Sequence, residues 1–247
     1  MTEAFKNAIA AALEAGKEIL KIYKKDFVVD FKNDESPLTI ADIISHDILV
    51  KELEKTNIPV LSEEGKVPDY KERKKWKEFW LIDPLDGTKE FVKKNGEFTV
   101  NIAYLKNNIP VFGVVYAPVI GKLYYGGTAM IPMLISDTYN KRALVKKNTQ
   151  TSTKAIVASK SHLNKETESF IKKYPNHKNI SMGSSLKFML LAEQKAVLYP
   201  RFAPTMEWDT AAAHAILKGI GYSIKQKNGK ELSYNKENLQ NPSFLAE

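Results

Sequence analysis

Cysteine is absent from the 247 residues. Disulfides, thiolate nucleophiles and cysteine-ligated zinc are thereby excluded, and the absence fits a cytoplasmic protein. No apolar run is long enough to span a bilayer. The N-terminal stretch MTEAFKNAIAAALEAGKEIL interrupts its apolar positions with acids and lysines, so it reads as an amphipathic helix and not as a signal peptide. Internal repeats and low-complexity segments are also lacking. What is present is ordinary for a globular chain: 43% hydrophobic, 10% aromatic and 27% charged residues, enough for a sizeable core in one large or two small domains. The net charge is +8, from 37 Lys plus Arg against 29 Asp plus Glu. The positive charge is dispersed, and its densest run, KERKKWK at Lys71 to Lys77, reads as a solvated face. That favours a small anionic substrate over nucleic acid, for which the chain carries no motif.

Helical spacing comes first: Phe5, Ile9, Ala12, Gly16, Ile19 and Tyr23 share one stripe. A loop, Lys32 to Pro37, follows. Thr39 and Asp42 have capping-box spacing for a second helix whose stripe continues through Ile40, Ile44, Ile48 and Leu53. Ile58 to Leu61 and WLID read as strands. Phe98 to Tyr104 and Val111 to Val115 alternate around an Asn107-Asn108 turn, predicting a hairpin with a third strand near Tyr124. The stretch Gly126 to Gln150 has no clean period. From about residue 153 strands and helices alternate: AIVAS, ETESFIKKY, NISMG, SLKFMLLAEQKA, VLYPRF, then DTAAAHAILKG ended by Gly219, then YSIKQ and an Asn228-Gly229 turn. We therefore expect an α+β half over 1–152 and an α/β half over 153–247.

Acids recur at strand ends and helix starts: Asp42, Glu63, Glu64, Asp83, Asp86 and Asp209. Hard divalent cations take oxygen ligands, and carboxylates from several strand ends can converge on one. In WLIDPLDGTKEF (Trp80–Phe91), Asp83 and Asp86 flank Pro84, whose fixed φ would also aim the Leu85 carbonyl. Asp83 is placed to bridge two metals. Each acid also has an ordinary reading: Asp42 as a first-turn acid, Asp209 as an N-cap, the others as turn residues. Against that, Asp83 follows an apolar run that should be buried, and a buried carboxylate needs a partner or a metal. An aspartyl-phosphate phosphatase would place its acids in an Asp-x-Asp-x-Thr turn, and Asp83 and Asp86 are not spaced for that.

DPLDGTKEF preceded by LSEE, then GEFTVNIA, VVYAP, GSSLKF, YPRF and EWDTAAAHA, together resemble the inositol monophosphatase superfamily of lithium-sensitive metal phosphatases. EFTVNIA, GSSLKF and YPRF are similar to its 3′(2′),5′-bisphosphate nucleotidase branch. The resemblance runs from the first helix to NPSF near the C-terminus. It implies a layered αβαβα sandwich of the inositol monophosphatase / fructose-1,6-bisphosphatase type, with the site between the halves. It also implies that Glu63, Asp83, the Leu85 carbonyl, Asp86 and Asp209 hold two or three Mg²⁺ ions, with Glu64 behind Glu63 and Li⁺ inhibitory. Asp42 and Thr88 would orient and deprotonate the attacking water, and backbone groups of Gly87 and Thr88 would hold the scissile phosphate beside Asp209.

By the same resemblance His162, Ser184, Lys187 and Arg201 contact the nucleotide, the two cations serving the phosphate that is not cleaved. Their ordinary readings are a solvated Lys187, an Arg201 paired with a local acid, a Ser184 that caps the next helix and a loop His162. His46 and His214 lie in helical patterns and read as structural. Gly126 to Asn140 departs from the family pattern, and we expect an altered surface loop there. The implied activity is hydrolysis of 3′-phosphoadenosine 5′-phosphate to AMP and phosphate in sulfate assimilation, with the related adenylyl sulfate as a further substrate. The alternatives are an inositol monophosphatase or sugar bisphosphatase with the same metal core, a phosphate-binding protein with a dead site, and a basic nucleic-acid binder. The expected setting is cytoplasmic, with peripheral attachment at the inner-membrane face compatible and monomer or homodimer left open.

Overall fold

A computed structural model describes residues 1–32, 37–136, 140–146, 155–159 and 164–247. Helix α1 (Glu3–Tyr23) starts at Thr2, whose Oγ1 accepts the Phe5 N–H. It buries Phe5, Ala8, Ala12, Ala15 and Ile19 along one side. Strands β1 (Val29–Phe31) and β2 (Pro37–Thr39) pair antiparallel. Helix α2 (Ile40–Glu54) opens with the expected capping box of Thr39 and Asp42. Its buried face is Ala41, Asp42, Ser45, Leu49 and Leu53, one position away from the expected isoleucine stripe, and Ile40 is 52% exposed. Inward polar groups set that rotation: Ser45 Oγ donates to the Pro84 carbonyl, and Asp42 receives the Thr88 hydroxyl.

Strand β3 (Val60–Ser62) and the short α3 (Tyr70–Arg73) lead to β4 (Glu78–Asp86), which lies parallel to β3. After α4 (Thr88–Val92), strands β5 (Thr99–Lys106), β6 (Ile109–Ala117), β7 (Lys122–Gly127), β8 (Met130–Ile135) and β9 (Lys141–Ala143) run as an antiparallel meander. The seven-stranded sheet has the order β3-β4-β5-β6-β7-β8-β9. Much of Gly126 to Asn140, expected as a surface loop, is thus β8 of the central sheet. The period is hidden because MIPMLI is apolar at every position, although its burial alternates. Residues 137–139 and 147–150 of the unreadable stretch lie outside the described residues.

Both faces of the sheet are covered, which is why its inner strands read as near-continuous apolar runs. Trp80, Ile82, Val100, Ile102, Phe112 and Val114 pack toward α1 and α2. Phe79, Leu81, Ala103, Leu105 and Val115 pack toward the second helical layer. That layer and what lies beyond it come from the rest of the chain: β10 (Ala155–Ser159), α5 (Lys165–Ile171), β11 (Lys178–Met182), α6 (Leu186–Ala192), β12 (Tyr199–Arg201), β13 (Thr205–Met206), α7 (Trp208–Ile220), β14 (Ile224–Gln226), β15 (Gln240–Asn241) and β16 (Phe244–Ala246). Helix α7 lies along β4 to β8. It ends at Gly221, in the left-handed region at φ 96°, and not at Gly219. Gly219 is instead the place where α7 meets the β7 backbone, since a Cβ there would fall 2.6 Å from Gly127. Strands β10 and β11 pair parallel, and β12-β16-β14 form an antiparallel sheet behind α6 and α7, with α5 outside. The order is αβαβα. Among the described residues no helix is long and apolar enough to cross a membrane.

Candidate active site

The site begins where β4 stops being regular. Its register against β5 breaks between Asp83 and Asp86, across a Pro that has no N–H to donate. The Pro84 carbonyl is held by Ser45 Oγ at 2.7 Å, and the Leu85 N–H donates to Asp83 Oδ1 at 3.1 Å. Gly87, at φ 96°, then turns the chain into α4, a conformation that a side chain would strain.

Glu63 follows β3, the parallel neighbour of β4, and Asp209 sits in the first turn of α7. Ligand oxygens of Glu63, Asp83 and Asp209 lie within 4.8 Å of one another. Burial pushes the carboxyls of Asp83 and Asp209 well above the usual carboxylate range, and the neighbouring acids add to it. Burial also raises Glu63, against the pull of Lys32. Lys32 Nζ lies 2.9 Å from Glu63 and 2.5 Å from Glu64, at the outer side of the group. Burial opposes the Lys32 charge, yet the two glutamates hold its pKa above the ordinary value. Three converging carboxylates, Asp83 buried and Glu63 and Asp209 partly so, form an all-oxygen donor set in which Lys32 is the one cation ion-paired among the described residues, and the set fits a hard divalent metal. The Leu85 carbonyl lines the same cleft and is 3.3 Å from Thr88 Oγ1.

Asp86 stands beside this trio. Its Oδ2 is occupied by donors from Asn101, Ser184 and Ser185. Asp42 approaches from α2: its Oδ1 accepts the Thr88 hydroxyl at 3.0 Å, and its Oδ2 accepts the Thr39 N–H and hydroxyl, each at 2.7 Å. Burial raises the Asp42 carboxyl despite those bonds. Asp209 is not the N-cap of α7. Glu207 holds that position, while Asp209 Oδ2 accepts the Met206 N–H.

Lys187 and Arg201 line the same cleft, whose volume is about 340 Å³. Lys187 is buried, not solvated. Its Nζ donates to the Ser184 carbonyl at 2.6 Å and lies 5.7 Å from the Tyr199 ring centre. Burial lowers its pKa to about 8, with Asp86 opposing and Arg201 reinforcing the shift. Arg201 meets no acid among the described residues. Its Nη2 donates to the Pro204 carbonyl at 3.0 Å, and its buried Nε has no partner among the described residues. Ser184 is not the helix cap: Ser185 precedes α6, and Ser184, at φ 51°, bonds Asp86 and Thr99. His162 lies outside the described residues. His46 bonds Ser62 Oγ, and the buried His214 bonds Tyr234 and Glu231, as structural histidines do.

Sequence reasoning did not single out Lys32, Thr99, Asn101 or Ser185. The last three lie inside EFTVNIA and GSSLKF, whose polar letters were the available signal. Lys32 had none, because its partners are more than thirty residues away.

A profile described as the inositol monophosphatase family matches residues 1–246. The chain is 42% identical over 241 residues to the 3′(2′),5′-bisphosphate nucleotidase CysQ of Salmonella typhimurium, covering 94% of this chain and 95% of that protein. It is 35% identical to the protein of the same name from Haemophilus influenzae, over 95% of this chain and 88% of the other. The crystal structure of CysQ from Bacteroides thetaiotaomicron superposes with a TM-score of 0.86 at 46% identity, covering 98% of this chain and 96% of that one.

Proposed function

The chain belongs to the inositol monophosphatase family, and from that premise we propose that it is a metal-dependent 3′(2′),5′-bisphosphate nucleotidase that hydrolyses 3′-phosphoadenosine 5′-phosphate to AMP and phosphate. The observation that carries the substrate is the pair Lys187 and Arg201. Both are buried in the cleft beside the acidic cluster, and neither has a carboxylate within ion-pair reach among the described residues. A buried cation without a counter-ion is unfavourable, and a second phosphate on the substrate would supply one. A monophosphate would need only the acidic end.

Glu63, Asp83, Asp86, Asp209 and the Leu85 carbonyl would hold the metal, with Glu64 supporting Glu63 through their shared Lys32. Mg²⁺ fits the donor set, at two or three ions per site, and Li⁺ is expected to compete for one position. Bound there, Mg²⁺ would supply charge neutralisation at the phosphate and an acidified water. The Thr88 hydroxyl donates to Asp42 Oδ1, so its oxygen is free to accept from the attacking water and pass a proton toward Asp42. Backbone groups of Gly87 and Thr88 would hold the scissile phosphate near Asp209. Lys187, Arg201 and Ser184, with His162, would receive the rest of the nucleotide. In this reading residues 1–152 carry the chemistry, and 153–247 choose the substrate while lending Asp209. The proposed setting is the cytoplasm, acting on a small molecule, as a monomer or homodimer and with no requirement for membrane attachment.

Phosphate release from 3′-phosphoadenosine 5′-phosphate beside inositol 1-phosphate, with Mg²⁺ and then with Li⁺ added, tests the proposal. The expected result is a strong nucleotide preference suppressed by lithium. Preference for the inositol ester would overturn the substrate, and release from neither would overturn the enzyme.

A further inference from the structure

Asp86 uses its two oxygens very differently. Oδ2 lies within hydrogen-bonding distance of four donors: Ser184 Oγ at 2.7 Å, the Ser185 N–H at 2.7 Å, Ser185 Oγ at 2.8 Å and Asn101 Nδ2 at 3.2 Å. A carboxylate oxygen has about two lone-pair sites, so Oδ2 is saturated. Among the described residues no hydrogen bond reaches Oδ1. The donors arrive from two separate places. Asn101 is on β5, in register with Asp83, and the serines form the turn before α6. Asn101 Nδ2 also bonds Ser185 Oγ at 2.9 Å, and its own Oδ1 accepts the Thr99 hydroxyl at 2.9 Å, so the amide is itself held.

Ser185 Oγ is also 2.9 Å from the Asp209 carbonyl. One hydroxyl hydrogen serves a single acceptor at a time, and the ionised carboxylate is the stronger one. Ser184 adopts φ 51°, a region that non-glycine residues seldom occupy, and there its hydroxyl lies against Asp86. A left-handed serine and a buried amide gathered on one oxygen are more than a turn before a helix requires.

We infer that Asn101, Ser184 and Ser185 are positioning residues that clamp Asp86 by Oδ2, so that Oδ1 alone is presented to a cation. The inference rests on the metal-dependent reading above. Asn101 and Ser185 need touch neither metal nor substrate, and Ser184 clamps Asp86 in addition to its proposed contact with the nucleotide. Their effect is to fix the Asp86 rotamer before a cation arrives, as residues behind a metal ligand commonly do.

The test is titration calorimetry of Mn²⁺ into the protein without substrate, a readout independent of turnover. Ser185→Ala removes one side-chain donor, and Mn²⁺ binding should weaken about tenfold or more. Ser185→Thr, which keeps the hydroxyl, should restore it. At saturating Mg²⁺ the KM for nucleotide should stay near the parent value, while the Mg²⁺ needed for half-maximal rate rises. Ser185→Cys, close in volume and a weak donor, decides the matter if Ser185→Ala does not fold. Mn²⁺ affinity within about twofold of the parent in a folded Ala or Cys variant would overturn the clamp. A parent that binds Mn²⁺ but releases no phosphate from the nucleotide would instead overturn the proposed function and leave the clamp standing.

Discussion

The acidic and basic ends of the cleft are both frustrated, but in opposite senses and on different scaffolds. The acidic end is built on the rigid central sheet: Asp83 and Asp86 close β4, Glu63 follows its parallel neighbour, and α7, which lies along the sheet, adds Asp209. Its carboxylates repel one another, and burial pushes the pKa values of Asp83 and Asp209 up. The basic end is built from the smaller C-terminal elements, with Lys187 on α6 and Arg201 on β12. Neither cation there finds an acid among the described residues, although acids stand across the same cleft. At each end burial disfavours the charge, the opposite charges across the cleft offset that only in part, and a bound ligand of opposite sign would offset the rest. The acidic end would supply chemistry common to the family. The basic end would decide which phosphate ester is served.

Substitution at the acidic end should have the largest effect. Asp83→Asn is expected to lower turnover by roughly a thousandfold or more, about 4 kcal/mol of transition-state stabilisation. It should also raise the melting temperature of the metal-free protein, because a neutral amide relieves the repulsion. Steady-state kinetics and a chelator-treated melt check the two halves together, and a variant that is both inactive and less stable would break the comparison. Thr88→Ala should come next, slowing turnover by about a hundredfold or more with little change in metal affinity, as expected when a proton relay is lost. At the basic end, Lys187→Ala should lower kcat/KM for the bisphosphate by about 10- to 100-fold and leave a monophosphate nearly untouched. Equal losses on both esters would remove Lys187 from substrate choice.

The smallest effect is a pH dependence. Asp83, Asp209, Glu63 and Asp42 have folded pKa values above their unfolded ones. Below about pH 4 both states hold these protons and no penalty is felt. As pH rises, the unfolded chain releases its protons first, so metal-free stability falls until each folded pKa has been passed. Saturating Mg²⁺ should flatten this slope. Denaturant melts between pH 4 and 8, with and without Mg²⁺, measure it, and a metal-free slope of the opposite sign would contradict the crowding of the acids.

Much of this was legible in the residues. The capping box of Thr39 and Asp42, the β5–β6 hairpin and the alternation after residue 153 rest on local patterns, and local patterns survive in a linear chain. The failures have one cause in common, which is that neighbours in space overrode local period. Strand β8 was hidden because all six of its letters are apolar. Helix α2 turned by one residue to aim Asp42 and Ser45 inward. Gly219 read as a helix stop, yet serves a close approach to Gly127. At the site, acid convergence could be anticipated from strand ends, but Lys32 between the glutamates and the crowding on Asp86 Oδ2 depend on distances that no spacing encodes.

One comparison reaches the central claim most directly: kcat/KM for 3′-phosphoadenosine 5′-phosphate against adenosine 3′-monophosphate, under the same Mg²⁺. The two share the scissile phosphate and the base, and differ only in the anion meant for Lys187 and Arg201. A ratio of about tenfold or more in favour of the bisphosphate, collapsing in Lys187→Ala, is the predicted result. A ratio near one would mean that the buried cations do not read the second phosphate, and the division of labour between the two ends would be wrong.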